Sequence, residues 1–247
     1  ALFFNQINPS AAIVNNSVAS AGKDPAGFNA NGLRVLNDKS LLLVGGNVII
    51  DGGELNAYGG RIELGGLASP GKIILQIDDN IFKLAFPENV ARADVSLNNR
   101  ASVYVEASEK GSITFNARNI DISGRSLLSA GIGKGLGSVD SQAGDITLNA
   151  TGKINIAQSS RIKNNVNADA IGNAGNINII ANSLSLANNS ELSTSTFGKG
   201  SAGNLIVSAK DFISLADRST IFSSVRAGAE GQGGNIDINA GSLSILS

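Results

Sequence analysis

The residues whose type and spacing could do chemistry follow five regularly spaced glycines. Gly111, Gly144, Gly175, Gly203 and Gly234 each open a similar phrase, as in Gly144-Asp-Ile-Thr-Leu-Asn-Ala150 and Gly234-Asn-Ile-Asp-Ile-Asn-Ala240. One position after the glycine stand Ser112, Asp145, Asn176, Asn204 and Asn235. Three positions after it stand Thr114, Thr147, Asn178, Ile206 and Asp237. Glycosidic-bond cleavage needs two carboxylates at a fixed separation, one acting as acid and the other as base or nucleophile. Neither column supplies that pair. The chain is therefore read as a non-enzyme, with a polysaccharide-active lyase or hydrolase as the alternative.

Four other stretches invite a site and fall short of one. Gly131-Ile-Gly-Lys-Gly-Leu-Gly-Ser138 is glycine-rich, but it lacks the Gly-x-x-x-x-Gly-Lys-Ser/Thr spacing and no helix follows to hold a phosphate. It reads as a corner loop. Gly233-Gly-Asn-Ile-Asp237 is similar to a calcium-binding repeat but occurs once, not in tandem. Ser193-Thr-Ser-Thr196 suggests an ice-binding array, yet no neighbouring repeat continues it. Asn176, Asn188, Asn204 and Asn235 could recognise a ligand. Stacked asparagines more often bond to one another and tolerate the left-handed backbone of a corner. No catalytic, cofactor-binding or metal-ligating residue is assigned, and no cofactor is expected.

The elements that position these residues repeat as well. Successive opening glycines lie 33, 31, 28 and 31 residues apart, the range of solenoids and propellers. After each phrase comes an apolar-polar-apolar triplet: Ile120-Asp-Ile122, Ile154-Asn-Ile156, Leu184-Ser-Leu186, Ile213-Ser-Leu215 and Leu243-Ser-Ile245. Six positions beyond the triplet stand Leu128, Ile162, Leu192 and Ile221, after Ser-, Asn- and Asp-rich corners. Each unit is thus three short strands of period-2 alternation. A propeller blade needs a longer unit of antiparallel hairpins, so the unit reads as one coil of a parallel β-helix. One unit alone buries too little to offset its ordering, so units must stack. The extra length falls after the third strand, at 130–143, 164–174, 194–202 and 223–233, and would line one edge suited to binding.

Upstream, residues 1–40 read as irregular strands broken by Pro9 and Pro25. Residues 40–67 read as four strand-plus-Gly-Gly units. Residues 72–86 read as an extra-helical antiparallel hairpin turning at Asp78-Asp-Asn80 and projecting from the body. The whole chain, 1–247, reads as one solenoid, with residues 1–100 distinct from the regular repeats of 101–247.

Composition narrows the function classes. Net charge is −1 with 16% charged residues, so no basic face exists to neutralise phosphates, and nucleic acid is excluded as a partner. Cys and His are absent, which removes thiolate and imidazole chemistry and disulfides. Aromatic residues are 4%, too few for a conventional aromatic sugar cleft. The longest apolar runs are far shorter than a membrane span, so no membrane insertion is expected. The chain lacks an initiator Met and a signal peptide, and it ends inside a repeat; it reads as a piece of a longer polypeptide.

The run Asn8-Pro-Ser-Ala-Ala-Ile13, the segment Ser40-Leu-Leu-Leu-Val-Gly-Gly-Asn-Val48, and Asp51-Gly-Gly-Glu-Leu-Asn-Ala57 with Gly60-Arg-Ile-Glu-Leu-Gly-Gly66 resemble filamentous-haemagglutinin-type exoproteins. Phe86-Pro-Glu-Asn-Val-Ala-Arg-Ala-Asp-Val95 resembles their cyanobacterial branch. The family's Asn-Pro-Asn secretion motifs are absent, and Asn8-Pro9-Ser10 is a partial echo. The resemblance implies a right-handed, single-stranded parallel β-helix covering the end of a secretion domain and the first passenger coils. It implies an outer-membrane transporter as partner, acting on the parent's N-terminal region in a two-partner secretion system. It also implies an adhesin or structural role at the cell surface of a Gram-negative-type bacterium, toward a host-cell, glycan or matrix ligand; a non-binding spacer stalk is a further alternative reading. Absence of Cys suits a chain that crosses an oxidising periplasm unfolded.

Overall fold

The computed structural model describes residues 1–8, 11–78 and 81–246. The described residues form strands, turns and bends with no helix, and so none long and apolar enough to cross a membrane. The protein is all-β and its strands pair mostly in parallel.

Three parallel ladders carry the repeats. The first runs through Ser40–Gly45, Arg61–Gly66, Ser112–Ala117 and Ile146–Ala150 into the opening halves of Ile177–Leu186, Leu205–Leu215 and Ile236–Ile245. The second runs through Ala12–Asn15, Asn47–Asp51, Val95–Asn98, Ile120–Ile122 and Lys153–Ile156 into the closing halves of the same long strands. The third joins Leu33–Arg34, Glu54–Asn56, Ser102–Tyr104, Leu127–Ile132, Arg161–Val166, Glu191–Thr196 and Thr220–Val225.

The register sets like on like. Ile113 pairs with Ile146, Ile146 with Ile177, Ile177 with Leu205 and Leu205 with Ile236. Leu128, Ile162, Leu192 and Ile221 form the matching file on the third ladder. Alternation sends each of these side chains to the same side of its ladder. One apolar cluster therefore runs unbroken from Leu41 to Leu215.

Two features of the repeats depart from the sequence reading. The first and second strands merge in the last three repeats. There a register shift after Ala181 or Ala209 replaces the expected corner, as a β-bulge bends a strand without ending it. The third strand is also longer than its apolar marker suggests, reaching Ile132, Val166, Thr196 and Val225. The edge segments beyond it then stack too, through Gly137↔Ile171 and the bridges Ile171↔Lys199 and Lys199↔Glu230.

Toward the N-terminus Ser40 pairs with Arg61, whereas Arg61 pairs with the much later Ser112. The difference holds an insertion. Gly71–Asp78 and Ile81–Ala85 form the expected antiparallel hairpin, and Leu2–Phe4 adds a third strand at Leu2↔Ile73. The expected turn residues Asp79 and Asn80, like Pro9 and Ser10, lie outside the described residues. The hairpin does not project. It lies against the outer side of the first ladder, where Leu67, Ile73 and Leu84 pack with Leu42, Val44 and Phe86 in a second small core. Gly65 and Gly66 permit that approach: a Cβ on either would strike the Phe86 ring or Ala93 O. Ser20–Lys23 and Asn29–Asn31 form a short antiparallel pair that the sequence reading missed.

Candidate functional site

The residues that first suggested chemistry hold the repeats together. Asp145 Oδ1 accepts the backbone N–H of Asn176 at 2.7 Å, Asn176 Oδ1 that of Asn204 at 2.9 Å, and Asn204 Oδ1 that of Asn235 at 2.8 Å. Inside the same corner, Asn164 Nδ2 donates to Gly144 O at 2.8 Å while its Oδ1 accepts from Gly175 N–H at 3.2 Å. Thr194 Oγ1 donates to Gly203 O at 2.6 Å, and Ser223 Oγ accepts from Gly234 N–H at 2.7 Å. Gly144, Gly175, Gly203 and Gly234 are thus each fixed by a polar side chain from a third strand.

The other singled-out stretches are likewise structural in placement. Asn188 has φ 56° and donates from Nδ2 to Asp217 Oδ2 at 3.0 Å. It belongs to a corner where two consecutive residues take positive φ: Gln158-Ser159, Asn188-Asn189 and Asp217-Arg218. Gly131 to Ser138 spans the end of one strand and the start of Gly137–Gln142, with no helix beyond it. Ser193 to Thr196 are all buried, so they present no array to solvent. Among the described residues no group of three or more Asp or Glu side chains is placed to hold a metal ion.

The arrangement best suited to a ligand is on the second ladder and was not singled out from sequence. On its solvent side two files flank the buried Val48, Val95, Ile120, Ile154, Leu184 and Ile213. One file precedes these residues: Asn47, Asp94, Asn119, Lys153, Ser183 and Phe212. The other follows them: Ile49, Ser96, Asp121, Asn155 and Ser185. Together they line an open groove of about 620 Å³.

Its polar groups are held in place. Asn47 Oδ1 accepts Asp94 N–H, Asp94 Oδ1 accepts Asn119 N–H and Asn119 Oδ1 accepts Lys153 N–H, each at 3.1 Å. Arg118 grips Asp94 with two bonds, Nε to Oδ1 at 2.9 Å and Nη2 to Oδ2 at 2.7 Å. These bonds hold the Asp94 carboxyl below its ordinary range, against the opposing effect of partial burial. Asn155 Nδ2 donates to Asp121 Oδ1 at 2.6 Å, and Ser123 Oγ donates to its Oδ2 at 3.0 Å. Phe212 stands at one end, 47% exposed. The sequence signal for it was available: Phe212 is an aromatic residue in a file that is otherwise polar.

A buried charge pair lies elsewhere, beneath the hairpin. Glu63 has no exposed surface, and its carboxylate meets Arg61 Nε and accepts Leu84 N–H at 2.7 Å. Burial raises its carboxyl above the ordinary range, with Arg61 pulling it partway back. Arg61 also donates to Ser112 Oγ at 2.9 Å and Thr114 Oγ1 at 2.8 Å, so the Arg61–Glu63 pair ties the inserted hairpin to the repeats.

Compared with known proteins, the chain matches no family model, no curated sequence and no solved structure. The functional reading therefore rests on the residues and their geometry.

Proposed function

We propose that this chain is a segment of an exported exoprotein of the filamentous-haemagglutinin type, folded as a right-handed parallel β-helix and held at a bacterial cell surface. In this reading an outer-membrane transporter delivers the parent protein through its N-terminal region, and the repeats form an adhesive or structural rod. The observation that carries it is the like-on-like parallel register of three ladders across successive repeats, which suits an extended scaffold built one rung at a time. Its edge offers contact surface: Val139 and Phe197 are exposed, and the Arg226 guanidinium lies 5.6 Å from the Phe197 ring centre.

The test is to present the purified chain to host cells, extracellular matrix and immobilised glycans, and to incubate it with acidic and neutral polysaccharides. Binding without cleavage is expected. Release of new reducing ends or unsaturated products would replace this reading with a polysaccharide-active enzyme. Blank binding on every surface would leave only a spacer.

A further inference from the structure

The groove between the two files of the second ladder has three properties that together specify a ligand. It is long: its lining reaches from Asn47 to Phe212 over six successive strands, about 24 Å at the usual strand spacing. Its volume falls in the range of ligand clefts. It has no net formal charge, because Asp94 is neutralised by Arg118 and Asp121 is balanced by Lys153. Its exposed chemistry is amide, hydroxyl and carboxylate oxygen with the single Lys153 ammonium, and an apolar face at each end from Ile49 and Phe212.

We propose that this groove binds an uncharged, hydroxyl-rich oligosaccharide laid along the stacking direction, with a sugar ring against Phe212. A polar file repeated at every strand offers hydrogen bonds at regular intervals, which suits a polymer of regularly spaced hydroxyls. Asp121 and Asn155, already oriented by their mutual bond, lose little freedom on accepting a ligand. A polyanion would gain nothing from a surface whose cations are matched by carboxylates. The inference rests on the adhesive reading above and assigns it a ligand class and a surface separate from the edge segments.

The experiment is calorimetric titration of the folded chain with β-linked glucose and mannose oligosaccharides of increasing length, beside uronic-acid oligosaccharides of equal length. Affinity should rise with length for the neutral series and stay weak for the acidic one. Phe212→Ala should weaken binding of the longest neutral probe about tenfold while leaving the melting temperature near that of the parent chain. Asn155→Ala should also weaken it. Tighter binding of uronates, unchanged affinity in Phe212→Ala, or no heat from any neutral probe would overturn the proposal. A Phe197→Ala/Arg226→Ala variant separates this failure from that of the adhesive reading. Neutral-sugar binding that is lost there and kept in Phe212→Ala would sink the groove alone, whereas no binding by the parent chain to any surface or sugar would sink both.

Discussion

The side-chain oxygen of Asn176 accepts the backbone N–H of Asn204 at 2.9 Å, although the two residues lie one whole repeat apart. Asn176 N–H is itself held by Asp145 Oδ1 at 2.7 Å. Each member therefore satisfies a corner N–H that no strand partner reaches through the ladder. The consequence is directional: removing one side chain orphans the donor in the following repeat.

Asn176→Ala should cost about 1–2 kcal/mol, since a half-buried N–H loses its acceptor. Asn176→Asp retains the oxygen and should cost less. Urea denaturation of the two variants beside the parent checks the order.

The opening glycines stack so closely that a Cβ on Gly203 would overlap Gly175 O, and one on Gly234 would overlap Gly203 O. Gly203→Ala should destabilise by about 3 kcal/mol, the upper end of overpacking costs, because the obstacle is backbone and cannot turn away. Gly233→Ala is the control. A Cβ there meets nothing closer than Ser223 O at 3.7 Å, so its cost should stay within about 0.5 kcal/mol. Comparable denaturation midpoints for the two variants would disprove the stacking argument.

Arg61→Ala should destabilise by about 3 kcal/mol, because it removes the guanidinium bonded to the buried Glu63 carboxylate and leaves Lys83 as the remaining cationic neighbour. The loss should appear first as hydrogen exchange at Leu84, whose N–H is bonded to Glu63. Uniform exchange across all three ladders would point instead to global loosening.

The two perturbed carboxyls should bend the pH profile in opposite senses. Glu63 is raised above 4.5 in the folded state, so its charged form is a burden above its folded pKa, lifted as pH falls through that value. Asp94 is lowered below 3.8, so its small contribution is present above 3.8 and fades as pH falls through its folded value. Thermal melts across acid and neutral pH should show the parent losing stability as pH rises through the window above 4.5. Glu63→Gln should lack that slope, and an identical slope in both proteins would refute the assignment.

Much of this arrangement was legible in the sequence because period and alternation are written locally. Ile113, Ile146, Ile177, Leu205 and Ile236 fall at one offset from their glycines, and the register follows that offset. The hairpin strands were legible from a different local signal, the Asp78-Asp-Asn80 turn between two apolar runs. Their docking was not: Glu63 alternates with Ile62 and Leu64 as any solvent-facing residue would, and only the hairpin, through Leu84, covers it. The groove was hidden for a different reason. Asp94, Asp121 and Lys153 come from different repeats and resemble ordinary surface residues until the ladder aligns them. The long strands were obscured because the glycine phrase and the apolar triplet read as separate strands, whereas a bulge carries one into the other.

The glycine stack also bears on how the number of repeats can vary. Gly175 approaches Gly144 O, Gly203 approaches Gly175 O and Gly234 approaches Gly203 O, so one kind of backbone contact recurs at each step. Removal of residues 175–202 would bring Gly203 to Gly144 with that same kind of contact. Gain or loss of a whole repeat therefore leaves the glycine column continuous, whereas a change of part of a repeat breaks it.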